Sequence, residues 1–335
     1  MERLLGLRFF PLRFDFETLG PFRAPEFKGA LFRGGFGHFF RDLVCSTRAP
    51  NCLACAHLST CPYSLVFETP VQADRFPVLR KYPNAPHPFV LVPPLDPRPL
   101  LPAGEQMAVS VVLIGPGIDY LPHFVCVFEE MGRSGRYGGA FRLSAVRSED
   151  CGVQASGLQS AIRSPQSEIP GLVYDGASHR FLAAPVPWTG APEHGCTAGI
   201  PIRRIRLEFA TPLRMRTNGH YNASPDFVAV THALLRRIHL LTALYAGADS
   251  DDAWLRPLLA AADAAVTEQS SFRLFAWDRM SGRQQRRVQM DGVLGSLVAS
   301  GDLTALAPYF QAGEWLNVGS GTSMGMGRYC MECGS

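Results

Sequence analysis

One pattern occurs twice in this sequence and restricts the fold more than any other feature. Leu12-Arg13-Phe14-Asp15-Phe16-Glu17 alternates apolar and charged residues with a period of two, as a half-buried strand does. Much later, Arg204-Ile205-Arg206-Leu207-Glu208-Phe209 does the same. Each run leads into helical periodicity. After the first, a helix over roughly Pro25–Cys45 places Phe32, Phe36, Phe39 and Leu43 on one buried stripe, with His38 and Arg41 pointing away from it. Three glycines inside that helix, Gly34, Gly35 and Gly37, cost stability and mark close approach of another backbone or a ligand. After the second run, Ser224 as N-cap and Pro225 at the first position open a helix that ends before Gly247. Its stripe is Phe227, Val230, Leu234, Ile238, Leu241 and Tyr245.

The rest of each half continues the series. Strands are expected near Ser64–Glu68, Phe89–Val92 and Met107–Leu113, a helix around Ile118–Glu129, and a strand at Phe141–Val146. The second half adds an Ala-rich helical insert (Ser250–Val266), strands near Phe272–Trp277 and Val288–Val298, and a helix at Leu303–Ala312. Strand, helix, strands, helix, strand is the order of a ferredoxin-like unit. The expected class is therefore α+β, with two tandem ferredoxin-like (RRM-like) domains, residues 1–195 and 196–335, joined by the Pro-, Gly- and Ala-rich stretch Pro187–Gly199. The length of 335 residues suits two cores, and 47% hydrophobic against 18% charged residues excludes a disordered chain.

Among 32 basic residues only Lys28 and Lys81 are lysines, so nearly every positive charge is a guanidinium. Arginine suits phosphate and base recognition, which keeps nucleic acid open as a partner; a GC-rich genome produces the same bias. Arg3, Arg8, Pro11 and Arg13 interrupt the apolar N-terminus, so no targeting signal is expected there. No stretch reaches the roughly 18 uncharged apolar residues of a membrane span, and a cytoplasmic location without membrane partners is expected. In that compartment the nine cysteines read as thiols or metal ligands. Cys45-x6-Cys52-x2-Cys55-x5-Cys61 has the spacing of a tetrahedral metal site, structural zinc first and an iron–sulfur cluster second, with His57 able to substitute as a ligand. Cys330 and Cys333 read as incidental, and Cys126, Cys151 and Cys196 as isolated thiols.

The densest local feature is Gly319-Ser320-Gly321-Thr322-Ser323-Met324-Gly325-Met326-Gly327-Arg328-Tyr329. It lacks the Gly-Lys-Ser/Thr ending of a phosphate-binding P-loop, and because it precedes a strand instead of following one into a helix it makes a poor dinucleotide fingerprint. A tight loop without a ligand and a backbone cradle for an anion fit it equally. Arginine clusters at Arg203, Arg204, Arg206, Arg214 and Arg216, and at Arg283, Arg286 and Arg287, are candidate RNA contacts; Gly132–Gly139 is a further backbone-binding loop candidate.

Gly313-Glu314-Trp315-Leu316-Asn317-Val318 running into that glycine loop resembles the C-terminal signature of the CRISPR-associated pre-crRNA-processing endoribonucleases of the RAMP superfamily. Further matches follow in order upstream: Leu31-Phe32-Arg33-Gly34-Gly35-Phe36-Gly37, Cys61-Pro62-Tyr63, Phe209-Ala210-Thr211-Pro212-Leu213-Arg214, Leu234-Leu235-Arg236-Arg237 and Arg279-Met280-Ser281-Gly282-Arg283-Gln284. The resemblance implies binding of one CRISPR repeat RNA, with other CRISPR effector subunits as further partners. It implies cleavage that needs no metal: the ribose 2′-OH attacks the adjacent phosphate, leaving a 2′,3′-cyclic phosphate and a 5′-OH. The family's base is often a histidine on or after the first helix, which His38 matches, with Lys28, Arg33 and Arg41 as cations for the phosphate. Gly319, Ser320, Gly321, Thr322, Ser323, Gly325, Gly327 and Arg328 would bind RNA. Relatives often carry His and Lys where this chain has Asn317 and Ser320, so a member that holds crRNA without cutting it is the alternative.

Overall fold

The computed structural model describes the chain except residues 1–3, 5, 72–75, 77–78, 80–84, 150–170, 185–186, 190–199, 218–219, 249–250, 282–285 and 335. Most of the expected linker Pro187–Gly199, together with Cys151, Cys196 and Arg283, lies outside the described residues. The chain folds into two compact units, Phe9–Trp188 and Met1–Arg8 with Thr189–Ser335. Both are ferredoxin-like, and the class is α+β.

In the first unit, β1 (Arg8–Thr18) leads to α1 (Gly29–Val44), β2 (Phe89–Val92), β3 (Gln106–Ile114), α2 (Leu121–Ser134) and β4 (Phe141–Ser148). A hairpin of β5 (Leu172–Asp175) and β6 (Arg180–Phe181) follows. The sheet runs β2-β3-β1-β4-β5-β6, with these neighbours paired antiparallel. The period-two reading of β1 holds: Leu12, Phe14 and Phe16 are fully buried, and Phe14 sits opposite Val109 and Val146. The alternate residues build an ionic outer face, Arg13 and Arg147 on Asp15 and Arg142 on Glu17. Both helices cover the inner face through an aromatic core in which Phe36 meets Phe124 at 4.4 Å and Phe128 at 5.5 Å.

Two local expectations are corrected here. The buried stripe of α1 is Phe32, Phe36, Phe39 and Phe40, while Leu43 is 54% exposed. Phe40 wins because it packs edge-on against Tyr63 (6.0 Å) and beside Phe36 (5.4 Å). Ser64–Glu68 is one turn of π-helix, not a strand: Tyr63 and Phe67 stack at 5.2 Å, a pairing that helical spacing allows and a strand forbids. Gly35 and Gly37 do mark close approach, since a Cβ there would run into Met131 and the ring of Phe67, whereas Gly34 faces open space.

The second unit repeats the order with β7 (Arg204–Phe209), α3 (Phe227–Tyr245), α4 (Leu255–Asp263), β8 (Val266–Ser281), β9 (Arg286–Ser300), α5 (Ala307–Leu316) and β10 (Tyr329–Gly334). Its antiparallel sheet runs β8-β9-β7-β10, the same spatial order as β2-β3-β1-β4. Ile205, Leu207 and Phe209 face the core, as the alternation requires. Asp226, not Ser224, caps α3: its carboxylate accepts the Ala229 amide at 2.8 Å. By length and composition α3 is apolar enough to cross a membrane, although Arg236 and Arg237 keep it short of an uncharged span. Phe227, Val230, Leu234, Ile238 and Leu241 are all fully buried in the unit's core, which accounts for that apolarity without a membrane.

Candidate functional site

His38 lies on the solvent side of α1, between the buried Gly37 and Phe39. Its side chain is 41% exposed, and Nε2 is 3.4 Å from Asp42 Oδ2, one helical turn on. The ring stands 6.1 Å from Tyr137, whose hydroxyl burial pushes above the ordinary phenol range. An exposed imidazole oriented by a carboxylate can move a proton at neutral pH.

The three cations expected to join it do not. Lys28 is fully buried at the N-terminus of α1 and donates to the carbonyl oxygens of Asp96 and Arg98, the latter at 3.2 Å. Burial lowers its pKa, partly opposed by Asp96 and Glu26. Arg33 lies over the Phe67 ring (4.4 Å) and shares a 3.0 Å hydrogen bond with His87 Nε2. Arg41 donates to the carbonyl of Ala49 and reaches Cys45, so it serves the loop after α1 instead of His38. The sequence placed all four on or near one helix; their side chains diverge.

That loop carries the four cysteines, which line one cavity of about 190 Å³ together with His57. Thr47 Oγ1 lies 4.0 Å from Cys45 Sγ and 3.5 Å from Cys55 Sγ. Burial raises the Cys45 thiol, but hydrogen bonds from the Arg48 amide, Thr47 and Arg41 outweigh it and leave the pKa below the ordinary value. Burial and then Glu68 push Cys52 up. Among the described residues no three His, Cys, Asp or Glu side chains stand close enough to hold a metal ion. The structural zinc expected from the spacing is not supported: the thiols share a cavity without forming a ligand set.

On the same unit runs a groove of about 1000 Å³, lined among others by Asp42, Glu129, Arg133, Arg136, Arg142 and His179. Arg133 and Arg136 belong to the Gly132–Gly139 stretch singled out in the sequence. Glu129 on α2 and His179 in the β5–β6 turn were missed, and no motif links them. The His179 Nδ1 is 2.9 Å from Glu129 Oε1, and the Tyr174 hydroxyl donates to the same oxygen at 2.5 Å.

In the second unit the glycine loop turns on itself. The amides of Ser320, Met324, Gly325 and Gly327 donate to the carbonyls of Arg214, Gly321, Thr322 and Pro212 at 2.8–3.0 Å. Gly327 has φ +71°, and a Cβ there would strike the Val318 carbonyl. Thr322, Ser323, Gly325 and Gly327 are buried, whereas Ser320 is exposed and Gly319, Gly321 and Arg328 are half-buried. A continuous amide cradle is thus not what the glycines build. Asn317, fully buried, clasps the loop by donating Nδ2 to the Met326 carbonyl at 3.0 Å. Arg328 lies over the Trp315 ring at 5.9 Å.

The arginine clusters divide. Arg203, Arg204 and Arg206 form exposed ion pairs with Asp302 (3.9 Å), Glu268 (3.0 Å) and Glu208 (2.9 Å). Arg214 and Arg216 lie over the ring of half-exposed Tyr221 at 4.1 and 4.7 Å, and Arg216 donates to its hydroxyl at 2.8 Å. Since Ser320 is hydrogen-bonded to Arg214, this Arg–Tyr–Arg stack adjoins the outer end of the glycine loop. Guanidinium planes and aromatic rings are surfaces on which unpaired bases stack. Arg286 and Arg287 open β9.

Comparison with known proteins follows the division into units. Residues 207–329 match the family model described as CRISPR-associated endoribonuclease Cas6, and residues 7–169 match one described as an N-terminal domain. An uncharacterised protein of Archaeoglobus fulgidus is 31% identical over 114 residues, 34% of this chain. The match spans 37% of that relative's length. Among solved structures, a Cas6 product complex from Thermus thermophilus matches with TM-score 0.52 and 14% identity over 97% of this chain and 100% of the other. A partial complex of Cas6-RT-Cas1 with Cas2 matches with TM-score 0.50 and 10% identity, covering 98% of this chain and 46% of that one. At these identities the likeness is one of fold.

Proposed function

We propose that this chain, whose residues 207–329 match the Cas6 family model, is a RAMP-type protein that binds a CRISPR repeat RNA and cuts it once. The 2′-OH at the scissile nucleotide attacks the adjacent phosphorus, and the cut leaves a 2′,3′-cyclic phosphate and a 5′-OH without a catalytic metal. His38 takes the 2′-OH proton, with Asp42 orienting its ring. The observation that carries this is the exposure of His38 beside its carboxylate on the helix face turned from the core, while Lys28, Arg33 and Arg41 are engaged elsewhere.

RNA contacts are assigned to Arg216, Tyr221, Ser320 and Arg328 at the surface, while Arg214, 17% exposed and paired with Asp291, backs the Tyr221 ring. Such contacts make affinity salt-dependent. Fusion or complex formation with Cas1 and Cas2 is a property of a relative of like fold; for this chain, association with other CRISPR subunits is tested by co-purification. The catalytic assignment is tested with His38→Ala on repeat RNA. Wild-type cleavage in EDTA with loss in the variant supports it; an unchanged rate removes His38 from the reaction.

A further inference from the structure

The groove of the first unit holds a second histidine–carboxylate pair. Cleavage by 2′-OH attack needs two proton transfers, one from the nucleophile and one to the departing 5′-oxygen. His38 can perform the first. For the second, Lys28 is buried on two carbonyls, Asn317 is buried in a loop, and Ser320 offers only a hydroxyl. We propose that His179, held by Glu129 and Tyr174, is the general acid, donating its proton to the 5′-oxygen from within the same groove that Asp42 lines; this rests on the nuclease reading above.

The geometry favours that role over a mere turn contact. The Nδ1 of His179 is occupied by Glu129, which leaves Nε2 as the nitrogen that can face a substrate. The Tyr174 hydroxyl donates to the same carboxylate oxygen; burial and then its bond to Glu129 keep the phenol protonated and therefore a donor. His179 is 70% exposed, so the ring is accessible. Its backbone sits at φ +53°, a left-handed conformation that a non-glycine residue adopts at a cost and that recurs at functional sites. Asp175 fixes the turn by accepting the amides of Ala177 and Ser178 and the Ser178 hydroxyl. Arg133, Arg136 and Arg142 supply cationic charge along the groove, Arg133 being balanced by Glu130 and Arg142 by Glu17.

The step balances. The 2′-O–P bond forms as the P–O5′ bond breaks; the 2′-OH proton passes to neutral His38, and protonated His179 passes its Nε2 proton to O5′. The phosphodiester keeps one negative charge as the cyclic product. Glu129, on Nδ1, fixes the ring so that Nε2 is the nitrogen that gives up its proton.

The test compares His179→Ala with His38→Ala on two substrates, the natural repeat RNA and the same RNA with a 5′-bridging sulfur at the scissile phosphate. A thiolate leaves without being protonated, so it needs no acid. His179→Ala is expected to slow cleavage of the natural RNA on the order of 10²-fold and to cut the sulfur substrate at near the wild-type rate. His38→Ala should be slow on both. Glu129→Gln, which keeps the shape of the side chain, should show a smaller loss, about 10-fold, relieved on the same substrate. Equal losses on both substrates for His179→Ala assign it a structural role and overturn the proposal, as does an unchanged rate on the natural RNA. Wild-type protein that binds repeat RNA yet cuts neither substrate overturns the nuclease reading itself.

Discussion

The two units share a strand order and differ in where they put their polar chemistry. In the first, side chains do the outward work: His38, His179, Arg133 and Arg136 stand in or beside a groove, backed by carboxylates on neighbouring turns. In the second, the backbone is turned inward: the glycine loop uses its own amides and buries Thr322, Ser323 and Gly327. Among the described residues, Arg216 with Tyr221 and the loop's outer end stay at the surface. On the proposed reading, a topology repeated within one chain carries an acid–base face in one copy and a rigid binding edge in the other. Glycine density by itself separates neither use, because glycines that let backbone approach backbone look the same in sequence as glycines that admit a phosphate.

Substitutions can break that contrast. His38→Ala in the first unit should lower repeat cleavage on the order of 10²-fold, close to 3 kcal/mol of transition-state stabilisation, without moving the melting temperature. Gly327→Ala in the second should do the reverse in kind. Its φ of +71° and the Val318 carbonyl facing it predict a loss of about 1–3 kcal/mol in stability, read by thermal or urea unfolding. An alanine that left stability intact but weakened RNA binding would show that the loop is a ligand cradle after all. Asn317→Ala, which strands the Met326 carbonyl, should cost about 1 kcal/mol in the same assay. Arg204→Ala should shift stability by less than about 1 kcal/mol and leave the salt dependence of RNA affinity unchanged, because its charge is already spent on an exposed Glu268 pair. A clear fall in the salt slope would return Arg204 to the RNA-binding set. Finally, Cys45 should alkylate ahead of Cys52, since hydrogen bonding lowers the one thiol and burial raises the other. Peptide mapping after brief iodoacetamide treatment reads the order; thiols that resist until a chelator is added would reinstate the metal.

The elements were legible where a period was sustained. Leu12–Glu17 and Arg204–Phe209 each alternate cleanly, and their buried halves are the ones the alternation names. The outward direction of His38 followed from the same reasoning applied to α1. What the sequence withheld depends on contacts between distant residues. Nothing in α1 distinguishes Phe40 from Leu43 until Tyr63 arrives to cover one of them. Lys28 reads as a free cation because its acceptors are backbone carbonyls some seventy positions away (|i−j| of 68 and 70), and carbonyls carry no sequence signal. Arg41 sits one turn from His38, yet its long side chain bends to Ala49 and Cys45. Spacing alone suggested a metal at the four cysteines, but spacing fixes how far thiols can reach and not where they point. His179 and Glu129 lie fifty residues apart (|i−j| of 50), on a turn and a helix, with no motif between them.

The central claim is that the chain cuts repeat RNA through the ribose 2′-OH. The direct measurement incubates purified protein with its repeat RNA in EDTA, beside the same RNA carrying a single 2′-deoxy nucleotide at the scissile position. The account predicts one cut in the ribose substrate, a 2′,3′-cyclic phosphate on the upstream fragment, and no cut in the deoxy substrate. Cleavage of the deoxy substrate at that position, or cleavage that appears only when a divalent metal is restored, would contradict it.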